Sequence, residues 1–96
     1  MGIEVGISIK SHGKRLFFQD LKIGELVLAD YSTDSLIDYK VCKIISFYEN
    51  VDGKNVELDD GSNAPSLGNL TFTEKELAGN DKRSWLFELP KKNREV

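Results

Sequence analysis

Apolar and polar residues alternate with a period of two through most of this chain. Ile3, Val5, Ile7 and Ile9 are separated by Glu4, Gly6, Ser8 and Lys10, the spacing of a strand with one face on a core and one in water. Ser11-His12-Gly13-Lys14 reads as a turn and Arg15 to Gln19 as a returning strand, so residues 1–19 are expected to form a hairpin. A turn at Leu21-Lys22-Ile23-Gly24 launches a strand from Glu25 to Tyr31, and Ser32-Thr33-Asp34-Ser35 is a polar loop.

The longest extended segment is Leu36 to Glu49, rich in Ile, Val, Tyr and Phe. Its apolar residues do not keep to one parity. Ile37, Tyr39, Val41, Ile45 and Phe47 share the odd positions with Lys43, while Cys42, Ile44 and Tyr48 share the even ones with Asp38 and Lys40. A strand that changes its buried face partway predicts a bulge or a barrel bend. Asp52-Gly53 predicts a hairpin turn into a strand over Asn55 to Leu58.

Asp59 to Asn69 is a long loop, followed by a short strand from Leu70 to Thr73. Thr73 and Glu76 have capping-box spacing, so one helical turn is expected over Glu74 to Ala78. The last strand runs from Ser84 to Leu89, with Trp85, Phe87 and Leu89 on one face, and Pro90 stops it. No segment is long enough for a βαβ crossover, which leaves an antiparallel all-β barrel or sandwich. The expectation is a single domain over residues 1–90, with a barrel core over 21–89, an added hairpin before it and a flexible basic tail over 91–96.

Composition fits a globular chain, with 40% apolar and 30% charged residues. The net charge of −3 argues against broad non-specific binding to nucleic acid. A single Cys excludes an internal disulfide, and a single His excludes a two-His metal site within the chain. No apolar run approaches a membrane span and no signal peptide is visible, so a reducing, cytoplasmic setting is expected.

Residues 21–89 resemble the SH3-like small barrels, and the Tudor branch in particular. Ile23-Gly24-Glu25-Leu26-Val27-Leu28-Ala29-Asp30-Tyr31 is similar to the opening strand of that family. Asp38-Tyr39-Lys40-Val41-Cys42-Lys43-Ile44 is similar to the second strand, and Val56-Glu57-Leu58-Asp59-Asp60-Gly61 to the third. The resemblance implies an aromatic cage for methylated Arg or Lys, held by cation–π attraction. Tyr31 and Tyr39 match its first two aromatics, and Asp60 or Asn63 would supply a polar wall. The third-strand positions hold Glu57, Leu58 and Asp60 where further aromatics are expected.

Catalytic and cofactor motifs are missing from the sequence. Cys42 lies in an apolar strand and His12 in a turn, so the only Cys–His pair has no sign of nucleophilic chemistry. Gly6 and Gly13-Lys14 miss the phosphate-loop spacing. Asn55, Glu57 and Asp59 fall at alternate positions, but a calcium loop needs Gly where Asp60 stands. The expectation is therefore a non-enzymatic binding module that uses no cofactor and acts on a protein partner, away from membranes. Tyr31, Tyr39, Tyr48 and Phe17 or Phe18 are its candidate anchors, with Asp60 and Asn63 as polar candidates, and the binding surface would be the 59–69 loop, the 32–35 loop or an exposed sheet edge. The alternative is a nucleic-acid-associated protein using Lys14 and Arg15 near the first turn. Its second basic group would be Lys82, Arg83, Lys91 and Lys92 around Trp85. Gly2 to Lys10 could also pair across chains to make a homodimer.

Overall fold

The computed structural model describes residues 4–61 and 70–90. Its strands are β1 (Ser8–Ile9), β2 (Arg15–Leu16), β3 (Leu26–Asp30), β4 (Tyr39–Asn50), β5 (Gly53–Asp59), β6 (Leu70–Thr73) and β7 (Leu86–Phe87). A short helix, α1 (Glu74–Ala78), follows β6, and 3-10 turns occupy Phe18–Asp20 and Lys82–Ser84. The strands lie in the order β2-β7-β3-β4-β5-β6, with β1 on β4, and all pairings are antiparallel. The all-β class is as expected, and the sheet curls into a half-barrel. Among the described residues no helix is long and apolar enough to cross a membrane.

Both faces of this sheet are apolar, and that explains most of the topology. Val27, Ala29, Cys42, Ile44, Val56, Leu58, Phe72 and Leu86 fill the concave side, which Leu77 of α1 completes. Leu28, Val41 and Phe87 form a second cluster with Ile9, Leu26, Tyr39, Trp85 and Leu89 around it. Each fully buried Leu or Ile contributes about 1.5–3 kcal/mol by leaving water. The expected face of Trp85, Phe87 and Leu89 is present in the second cluster, while Leu86 between them enters the first.

The N-terminal hairpin is corrected. β1 and β2 do not pair with each other: β1 pairs with β4 at Ser8↔Lys40, and β2 pairs with β7 at Arg15↔Phe87. The second apolar cluster supplies the reason. Ile9 packs on that cluster and Leu16 enters the concave core, so the two strands serve opposite faces. Pairing with β4 also occupies one edge of the strand from which a homodimer was expected.

The parity change in β4 is present as a bulge. Register shifts between Ile44 and Ser46, so Ile44 lies opposite Leu58 while Phe47 lies opposite Val56. Directly opposed residues share a face, which carries the even Ile44 and the odd Phe47 to the same side. Where β5 ends, the N-terminal segment takes over the same flank of β4: Gly6 N–H donates to the Val41 carbonyl at 2.7 Å and Val41 N–H to that of Ile7 at 3.0 Å. The two segments meet end to end at Gly6 and Gly61, whose backbones approach closely.

The capping box at α1 is also present. The Thr73 hydroxyl accepts from Glu76 N–H at 3.0 Å, and the Glu76 carboxylate accepts from Thr73 N–H at 2.9 Å. Thr73→Ala is expected to cost about 1 kcal/mol, measurable as a lowered urea midpoint, with Thr73→Ser retaining most of the stability.

Candidate functional site

The register of β3 against β4 decides the fate of the aromatic pair. Asp30 lies opposite Tyr39, so Tyr39 shares the face of Asp30 and Tyr31 takes the other. Tyr31 packs against the concave core and Tyr39 against the second cluster. The two rings do not meet, and no cage forms from them. Tyr39 instead makes edge contacts with His12 at 4.8 Å and Phe87 at 5.8 Å between centroids.

Tyr31 and Asp60 do come together. The phenol donates to the Asp60 carboxylate at 2.8 Å, and the Lys40 ammonium lies 5.3 Å from the ring centroid. Burial, and then the Asp60 hydrogen bond, push the Tyr31 phenol above its ordinary range. Asn63 lies outside the described residues. Tyr31 also walls a cleft of about 200 Å³ with Leu70, Phe72 and Arg83.

Cys42 is fully buried on the concave side beside this pair. Burial pushes its thiol up to about 12, and Asp60 and Asp59 act in the same direction. The native thiol is therefore expected to resist alkylation at pH 8 until the chain unfolds. The linkage has a definite sign. The unfolded thiol ionises near its ordinary value of 9.0 while the folded one stays protonated. The contribution of Cys42 to stability is thus complete below pH 9 and lost as pH rises toward about 12. Urea midpoints taken from pH 8 to pH 11 should fall, and Cys42→Ala should flatten that fall.

Of the described basic residues, Arg15 is engaged within the fold, and Lys14 and Arg83 line grooves beside acidic side chains. The Arg15 guanidinium stacks on Trp85 at 3.8 Å and on Phe17 at 4.6 Å, and donates to the carbonyls of Leu77 and Gly79 at 2.6 and 2.9 Å. Trp85 Nε1 donates to the same Gly79 carbonyl at 2.9 Å. Arg15 and Trp85 thus join β2 and the approach to β7 to the end of α1. Lys14 lines a groove with Asp20, Glu25 and Glu88, and Arg83 one with Asp30 and Asp34. Lys82 is exposed on its 3-10 turn, and Lys91 and Lys92 lie outside the described residues.

Three exposed large apolar side chains lie on the β4–β5 hairpin. Tyr48 is 44% exposed there, Phe47 37% and Val51, at the apex, 100%. Phe18 meets Phe47 edge-on at 5.4 Å. Phe18, Phe47, Tyr48, Glu49 and Lys54 line a hollow of about 330 Å³. The turn beneath is tied by side chains. Asn50 Oδ1 accepts from Asp52 N–H at 2.8 Å and from Asn55 Nδ2 at 3.3 Å, and Asn55 Nδ2 donates to the Gly53 carbonyl at 2.9 Å. Gly53 sits at φ +107, a conformation that favours glycine. The sequence pointed to Tyr48 as a candidate, but not to the exposed Phe47 and Val51 beside it. The signal for them was the Asn50-Val51-Asp52-Gly53 turn, with Asn55 two residues on.

The chain matches no family model, and comparisons with curated proteins and with solved structures return no match.

Proposed function

We propose that this protein is a small non-enzymatic binding module that acts through protein–protein contact, with the β4–β5 hairpin as its binding surface. One observation carries the reading: Phe47 and Tyr48 near the end of β4 and Val51 at the apex are all exposed on one hairpin, whose turn is held by Asn50 and Asn55. Single exposed apolar residues are ordinary, whereas grouped ones mark interaction sites. Aromatic anchors supply much of the energy of protein interfaces, and a preordered turn removes part of the ordering cost. Ile7, Ile23, Leu36 and Ile37 are also exposed, but none of them is aromatic, whereas the hairpin exposes Phe47 and Tyr48.

Among the described residues, no observation favours the nucleic-acid alternative over this reading. Arg15 and Trp85, its best stacking pair, are engaged with each other. Methyl-mark recognition of the Tudor type is likewise not part of the proposal, because Tyr31 and Tyr39 take opposite faces.

Site-specific photo-cross-linking tests the proposal. A photoreactive residue in place of Val51 should yield a discrete protein adduct in lysate, and the same residue in place of the exposed Lys75 on α1 should not. The adduct should be lost in Tyr48→Ala. Equal labelling at both positions, or none at Val51, would refute the hairpin as the binding surface.

A further inference from the structure

β3 accompanies β4 only as far as Lys43, with Ile44 bonded to Gly24 and Glu25 just beyond. From Ile45 to Asn50 the only described strand paired with β4 is β5. Asn50 and Gly53 are the last pair before the two-residue turn. Pairs alternate along an antiparallel ladder, so Asn50, Tyr48 and Ser46 aim their backbone groups at β5, and Phe47 and Glu49 aim theirs outward. Phe47 to Asn50 are exposed.

We propose that this edge receives an extended segment of another protein as an added strand. The segment carries an apolar residue opposite Phe47 and a basic residue, two positions away, opposite Glu49. The inference rests on the hairpin being the binding surface and names what it binds. Strand addition uses alternating N–H and C=O groups for affinity and alternate side chains for specificity. The edge supplies the first, and the hollow that Phe18 and Phe47 line with Tyr48, Glu49 and Lys54 receives an apolar side chain.

Charge separates this occupant from a second copy of the chain. A copy laid antiparallel on the same edge would set Glu49 opposite Phe47, opposite Ile45 or opposite its own counterpart. Each arrangement places a carboxylate against an apolar side chain or a like charge. A segment with a basic residue there meets Glu49 with the opposite charge, as Lys54 does across β5.

The probe is a set of peptides selected from a random dodecapeptide phage library on the immobilised full chain. Amide hydrogen exchange on the wild-type protein should show Phe47 and Glu49 protected by the selected peptides. Glu49→Pro removes an outward N–H while sparing the β5 ladder, and should weaken binding about tenfold or more. Glu49→Ala keeps that N–H and should weaken binding only about threefold through the lost charge. Peptides that protect neither amide, or that bind Glu49→Pro unchanged, would overturn strand addition. If Tyr48→Ala still abolished their binding, the hairpin reading would stand without it. Selection of no peptide would overturn the inference. So would protection that grows with protein concentration alone, which would assign the edge to a second copy.

Discussion

Arg15→Ala is expected to lower the unfolding free energy by about 3 kcal/mol. Three contributions disappear together. The guanidinium leaves the faces of Trp85 and Phe17, a cation–π loss of about 1–2 kcal/mol for a partly desolvated pair. Two charge-assisted hydrogen bonds to the Leu77 and Gly79 carbonyls are lost, each worth about 1.5–3 kcal/mol where water cannot replace them. The offset is partial: those carbonyls rehydrate, and Arg15 Nε, buried with no hydrogen-bond partner, no longer carries a desolvation cost. Arg15→Lys keeps the charge but neither the planar stack nor the paired donors, and should recover less than half of the loss. Trp85 is the only tryptophan, so its emission follows the same event and should shift to the red. A change below about 0.5 kcal/mol, the range of ordinary surface substitutions, would contradict the account of Arg15.

Gly61→Ala should cost at least as much, about 3 kcal/mol or more, by a different route. Gly61 has φ +83, where an L side chain costs about 1–2 kcal/mol. An added Cβ would also lie 2.7 Å from Gly6 Cα and 3.0 Å from Gly6 N. Both obstacles are backbone, so one of the two segments must shift, which loosens the contact that holds Gly6 and Ile7 beside β4. Gly24→Ala is the control: its φ is +88, but nothing lies within 4 Å of the added atom. That variant should show the conformational cost alone, about 1–2 kcal/mol. Amide exchange at Gly6 and Val41 should accelerate in Gly61→Ala and stay unchanged in Gly24→Ala. Equal destabilisation by the two would mean that the contact between Gly6 and Gly61 does not matter.

Features set by neighbouring residues were legible in the sequence. The bulge in β4 showed as a change of parity between Cys42-Ile44 and Phe47, the hairpin turn as Asp52-Gly53, and the start of α1 as Thr73 and Glu76. Each depends on chemistry within a few residues. The partners of β1 and β2 were not legible, because a period of two states that a strand has a buried face without stating what covers it. The second apolar cluster around Leu28, Val41 and Phe87 decided that choice. The aromatic pair failed for a related reason. Tyr31 and Tyr39 are both aromatic on adjacent strands, but only the pairing of Asp30 with Tyr39 fixes their faces, and a change of one residue would reverse the answer. Arg15 and Trp85 read as a loose basic and aromatic combination because the sequence does not reveal that they stack.

The binding surface proposed above is the β4–β5 hairpin and not the basic residues. Quantitative affinity capture from lysate tests it most directly, comparing wild type with a Tyr48→Ala/Val51→Asp variant and a Lys82→Glu/Arg83→Glu variant. Each is run with and without nuclease and at low and high salt. The account predicts a defined set of proteins that survives nuclease and salt, persists with the charge-reversed variant and disappears with the hairpin variant. Recovery that survives the hairpin changes, but is lost with nuclease, salt or the charge reversal, would contradict it.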